Sequence, residues 1–154
     1  MNPVDRIVGD LLEVLPKDAA LVVTADHGQV EVGTSTEVLG ADLMACVSLL
    51  SGEGRFRWLH ARPGAKDDLL ERAAGRYGHL AWVRDVEQVI DEGWLGGAPA
   101  PKVLGRLGDV ALVPFAPTAF LDPADTGEQR LVCRHGSLTS DEMVVPLLAW
   151  APKR

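Results

Sequence analysis

The chain has 154 residues, 47% of them hydrophobic, and a formal net charge of -7, which suits a folded domain with its own core and excludes a disordered polyelectrolyte. The acidic excess argues against a nucleic acid polymer as partner, because phosphate backbones are gripped by clustered Lys and Arg. Arg55, Arg57 and Arg62 form the only local basic stretch, and their spacing reads as alternating charge on the solvent face of a strand.

Taken in chain order, Asn2 and Pro3 read as an N-cap and a first helical position. Val4, Ile7, Val8, Leu11, Leu12 and Leu15 then recur at helical spacing until Pro16 stops them. Asp5, Arg6, Asp10 and Glu13 interrupt this stretch, so it does not resemble a secretory signal, and no apolar run reaches the roughly 18 residues of a membrane span. Ala19 to Ala25, with Val22, Val23 and Thr24, predicts a strand buried on both faces. Helix followed by buried strand predicts an α/β fold with a mostly parallel sheet flanked by helices.

Gly33 to Glu37 reads as a loop, and Ala41 to Leu50 as a helix, with a strand as the alternative. Beyond it Arg55 to Ala61 alternates, Lys66 to Tyr77 is helical, His79 to Val83 is a short strand and Asp85 to Glu92 a short helix. This predicts a small α+β subdomain. Gly93 to Pro101 is the clearest linker; Asp109 to Phe115 and Thr118 to Leu121 read as strands, and Pro123 to Glu128 as a turn. Cys46 and Cys133 lie in apolar surroundings without a CxxC partner and read as small buried hydrophobes. A reducing, cytoplasmic location is the default, unless an upstream segment carries a signal.

Two separated segments carry chemistry. Leu21-Val22-Val23-Thr24-Ala25-Asp26-His27-Gly28 is an apolar strand ending in Asp-His-Gly, and the carboxyl ends of strands in open α/β sheets are where ligands bind. Asp oxygen and His nitrogen both suit Zn²⁺, and a sharp turn at Gly28 would let both side chains reach one cation. On these residues alone, Asp26 as an Asx-turn carboxylate beside a loop histidine is an open alternative. The second segment runs from Cys133 to Leu147 and contains His135-Gly136-Ser137-Leu138-Thr139, with Glu142 and Pro146 beyond. Thr139 and Glu142 read as a capping box that starts a helical turn at Ser140; Pro146 ends it and leads into an apolar strand through Trp150. His135 falls at the strand-to-loop corner before that cap, where a turn histidine and a metal ligand are both open. His60 and His79 read as ordinary strand residues.

The two motifs together, Thr-Ala-Asp-His-Gly and, much later, His-Gly-Ser-Leu-Thr-x-x-Glu-Met-x-x-Pro-Leu, resemble the closing half of type I phosphodiesterases and nucleotide pyrophosphatases of the alkaline phosphatase superfamily. The helix around Val4-Asp5-Arg6-Ile7-Val8 resembles the one leading into that family's Asp-His-Gly strand. The resemblance covers both ends of the chain and the middle only loosely. It implies that residues 1–33 and 101–154 form the C-terminal half of an alkaline-phosphatase-like core and that 34–100 is an α+β insertion.

The resemblance further implies two divalent ions, usually zinc, that clamp the attacking and leaving oxygens of a displacement at phosphorus. Asp26 and His27 would ligate one ion and His135 its neighbour. The family's nucleophilic Thr or Ser, a further Asp, and an Asp and His that complete the ligand set all belong upstream of Met1. The expectation is therefore a C-terminal fragment of a metal-dependent phosphoric ester hydrolase, inactive alone and weak in metal binding, whose full-length form takes a small phosphate-ester substrate. The alternative is a binding or interaction module that retains relic metal-ligand motifs, or one completed by a second chain carrying the missing N-terminal half.

Overall fold

The computed structural model describes residues 3–127 and 130–152, so Asn2 as N-cap and the last residue of the turn at 123–128 lie outside the described residues. The chain divides into two compact units, Met1–His27 with Val144–Arg154, and Gly28–Met143.

In the first unit, α1 (Pro3–Val14) ends where Pro16, lacking an N–H, cannot continue it. Strand β1 (Leu21–Thr24) pairs antiparallel with β10 (Leu147–Trp150), Leu21 opposite Trp150 and Thr24 opposite Leu147. Val8 and Leu12 of α1 share a crevice of about 80 Å³ with Leu21, Val23, Leu148 and Trp150. Successive strand residues point to opposite faces, and Val22, on the other side from Leu21 and Val23, is 59% exposed. The expectation that β1 is buried on both faces is therefore corrected: among the described residues α1 covers one face.

The second unit holds a four-stranded sheet in the order β4 (Val47–Glu53), β5 (Phe56–Ala61), β7 (Val110–Pro114), β6 (Ala81–Asp85). All three pairings are antiparallel. The fold is α/β, but the mostly parallel sheet is corrected: among the described residues the one parallel pair joins β3 (Thr36–Val38) to β8 (Ala119–Leu121). The physical reason lies at Gly52 to Arg55. Gly52 adopts φ 81 and the chain turns at Gly54, so β4 and β5 close as a hairpin, where a helical crossover would have made them parallel. The helix expected over 41–50 shrinks for the same reason to α2 (Ala41–Met44), its apolar continuation being taken by β4.

Strand β7 is buried throughout. Val110 and Leu112 enter a core with Leu59, Leu69, Ala73, Tyr77 and Phe120, while Ala111 and Val113 enter another with Trp58 and Val89. Each core is closed by a helix. Leu69, Ala73 and Tyr77 come from α3 (Lys66–Tyr77), whose Asp67 and Asp68 in the first turn and Arg76 in the last suit its dipole. Val89 comes from α4 (Val86–Asp91), which Asp85 and Gln88 start with a reciprocal capping box, Gln88 N–H donating to Asp85 Oδ1 at 2.8 Å and Asp85 N–H to Gln88 Oε1 at 3.0 Å. This sheet joins β4, β5 and β6, from residues 34–100, to β7, from 101–154. A short helix, α5 (Pro101–Leu104), follows the linker.

Three further expectations change. His79 lies in the exposed turn after α3, where the helix end at Gly78 delays the next strand to Ala81. Cys46 is buried but Cys133 is exposed, because β9 (Cys133–Arg134), paired with β2 (Val30–Glu31), turns Arg134 inward and Cys133 outward. Arg55 and Arg57, expected on a solvent face, are 0% and 2% exposed. Arg57 donates from Nη1 to Gly52 O at 2.7 Å and from Nε and Nη2 to Phe120 O. Bonds to charged donors that satisfy main-chain carbonyls make such burial tolerable.

Candidate functional site

Asp26 and His27 follow β1 in the first unit. Asp26 Oδ1 accepts the His27 main-chain N–H at 3.1 Å, and Asp26 Oδ2 lies 3.7 Å from His27 Nε2. Two donor atoms on one tetrahedral zinc, each about 2.0–2.1 Å from the metal, stand about 3.3 Å apart. The spacing suits one cation, and the Asp26 bond goes to the adjacent N–H rather than to the N–H two residues on that an Asx-turn would use. Asp26 is well exposed and His27 about one-third exposed, leaving the pair open to solvent.

Gly28 belongs to the second unit. Its N–H donates to Glu142 O at 2.8 Å, and a Cβ on it would lie 1.9 Å from Asp141 O. The glycine expected to supply a sharp turn is required instead by close approach of two main chains.

His135 follows β9 and is half-buried. Gly136 after it has φ 117, which side-chain-bearing residues rarely adopt. Ser137 is buried, its N–H donating to Glu142 Oε1 at 2.9 Å and its hydroxyl to Pro114 O at 2.5 Å. Thr139 O accepts the N–H groups of Glu142 and Met143, starting α6 (Ser140–Met143) where expected. The capping box is rearranged, however: the Thr139 hydroxyl donates to Glu142 Oε2, and the carboxylate is turned toward Arg55.

Arg55 and Glu142 form a bidentate pair, Nε to Oε1 and Nη2 to Oε2, both 2.7 Å, with side chains 0% and 2% exposed. The rest of the guanidinium is used on Ala116 O at 2.8 Å, Thr118 O at 2.7 Å and Pro114 O at 3.1 Å. Burial pushes the Glu142 carboxyl up, but hydrogen bonds from Arg55, Thr139 and Ser137 together outweigh it and hold it below the ordinary value of 4.5. Glu142 therefore contributes stability that is present above about pH 4.5 and lost as the pH falls through the lowered folded value. Unfolding free energy of Glu142→Gln is expected to change less steeply than that of the native chain on acidification below this pH; equal slopes would remove Glu142 as a source of acid sensitivity.

This pair is the part of the region that sequence reading missed. Nothing local marks it: Arg55 and Glu142 are 87 positions apart, and Glu142 already had a reading as a cap residue. His60, expected to be an ordinary strand residue, has Nε2 2.8 Å from Ser51 Oγ within the β4–β5 hairpin. Asp26 and His27 fall in one unit and His135 in the other. Among the described residues no three His, Cys, Asp or Glu side chains are grouped so as to hold a metal ion. The donors fit zinc in type but do not by themselves supply the three protein ligands of a catalytic zinc site. No helix among the described residues is long and apolar enough to cross a membrane.

The sequence matches no family model and no curated protein sequence. Solved structures do match. Murine ectonucleotide pyrophosphatase/phosphodiesterase 5 aligns over 97% of this chain at TM-score 0.71 and 18% identity, covering 39% of its own length. The chain thus shares its fold with a structure of the pyrophosphatase/phosphodiesterase kind that its motifs resemble. The human counterpart of the murine protein aligns over 96% at TM-score 0.63 and 17% identity, covering 38% of its length. Phosphonoacetate hydrolase from Sinorhizobium meliloti 1021, solved with phosphonoformate, aligns over 94% at TM-score 0.65 and 20% identity, covering 38% of its length. The chain therefore spans about two-fifths of the structures it resembles, consistent with a C-terminal portion.

Proposed function

We propose that this chain supplies part of the two-metal site of a phosphoric ester hydrolase of the phosphodiesterase/nucleotide pyrophosphatase type. Asp26 and His27 are ligands of one ion and His135 is a ligand of its neighbour; zinc is the metal the donor types favour. The observation that carries the reading is the 3.7 Å spacing of Asp26 Oδ2 and His27 Nε2 at the end of β1, in a chain whose fold is shared with pyrophosphatase/phosphodiesterase and phosphonoacetate hydrolase structures. In this reading residues 1–33 and 101–154 correspond to the closing part of the enzyme core and 34–100 to an insertion.

The ions, when bound, supply Lewis acidity toward the phosphoryl oxygens. The chain's own contribution is to present a carboxylate and two imidazoles and to hold their loops. The nucleophile and the remaining ligands come from the missing N-terminal half, so these residues alone do not turn over substrate.

The test is hydrolysis of bis-p-nitrophenyl phosphate by the full-length product of the gene. Turnover is expected, with His27→Ala and His135→Ala each reducing it to the uncatalysed level. Full activity in either variant would overturn that residue's role as ligand, and an inactive full-length protein with an intact nucleophile would overturn the hydrolase reading.

A further inference from the structure

We infer that Arg55 and Glu142 are positioning residues for His135, holding the loop that presents its imidazole to the metal. The inference rests on the metal reading proposed above, and it assigns a role to two residues outside the ligand set.

The loop could hold itself only weakly. His135, Gly136 and Ser137 lie between a two-residue strand and a four-residue helix, and neither element is long enough to be stable on its own ladder. Gly136 sits at φ 117, a bend that a side-chain-bearing residue would adopt only with strain, so the loop turns there without a stable element of its own. What holds the loop is the Glu142 carboxylate. It accepts the Ser137 N–H two residues after His135 and the Thr139 hydroxyl four residues after it.

That carboxylate is fixed in turn by the Arg55 fork, and Arg55 is fixed by the carbonyls of Pro114, Ala116 and Thr118 where β7 leads toward β8. Ser137 Oγ donates to the same Pro114 carbonyl. The loop is thereby tied through two side chains to the end of the strand buried on both faces. Glu142 also accepts the Gly28 N–H on its main-chain oxygen, so one residue is bonded to Gly28, which follows Asp26 and His27, and to Ser137, which follows His135 and Gly136. Groups that orient a metal ligand from behind typically change affinity or activity 10- to 100-fold when removed.

The experiment measures Zn²⁺ affinity of the full-length product of the gene by competition with a chromophoric chelator, alongside thermal denaturation. Glu142→Gln and Arg55→Lys, which keeps the charge but not the two-pronged geometry, are each expected to weaken zinc binding about 10- to 100-fold. Leu69→Ala, which opens the core under α3, serves as a control of comparable thermal destabilisation and is expected to leave zinc affinity within about twofold. If either variant fails to fold, the other gives the answer. Equal weakening by Leu69→Ala, or unchanged affinity in the folded Arg55 and Glu142 variants, overturns the positioning role. His135→Ala separates the two claims: if it leaves zinc affinity unchanged, the metal reading falls and the inference with it, whereas if it weakens binding and Glu142→Gln does not, the inference alone falls.

Discussion

Arg55→Ala is expected to lower the stability of the chain by about 3–5 kcal/mol, the range for breaking a buried ion pair by removing one partner. The loss comes less from the attraction forgone than from what is left behind. Glu142, 2% exposed, would be left with the Ser137 N–H and Thr139 hydroxyl as its remaining side-chain donors, and must either stay charged without its partner or take up a proton. The carbonyls of Pro114, Ala116 and Thr118 would lose the guanidinium donors they now have. Removing both charges leaves neither member of this pair buried without its partner, so Arg55→Ala with Glu142→Ala is expected to cost less than the sum of the two single changes. Urea denaturation of the four proteins of this cycle measures both quantities. A single-variant loss under about 1 kcal/mol would mean that water reaches the carboxylate and that the pair belongs with ordinary surface bridges.

Gly28→Ala carries the next largest effect, about 1–3 kcal/mol, as an overpacked contact that the neighbours cannot relieve by rotating a side chain. The added carbon would meet Asp141 O at 1.9 Å, Asp141 C at 3.0 Å and Glu142 Cα at 3.3 Å. All three are main-chain atoms of α6, so relief requires the helix to shift and the Gly28–Glu142 hydrogen bond to lengthen. Thermal denaturation reads the loss. A variant as stable as the native chain would show that this approach is not tight in solution.

How much of this was legible in the sequence depends on whether the cause was local. Helix α3 was read at its observed bounds because Leu69, Ala73 and Tyr77 repeat on one face and the first-turn acids mark its start. The Asp85 cap of α4 follows a similar local rule, and β7 was visible as an apolar run. Strand direction was not legible, since the choice between hairpin and crossover depended on a turn at Gly52 to Arg55 that no periodicity marks. The arginines misled for a related reason. Alternation in Arg55 to Ala61 separates two faces of a strand but does not say which faces water, and that was decided by an acceptor 87 residues away. In the candidate site, the adjacency of Asp26 and His27 was plain from the chain, while the support behind the second motif was hidden inside a residue that already had a local explanation.

The outward turn of Cys133 has a practical consequence. Cys46 is buried, so a maleimide dye offered to the folded protein meets one accessible thiol, and that thiol lies two residues before His135. An environment-sensitive fluorophore can thus be placed beside the histidine loop without first engineering a cysteine, giving an optical reporter of whatever the imidazole binds.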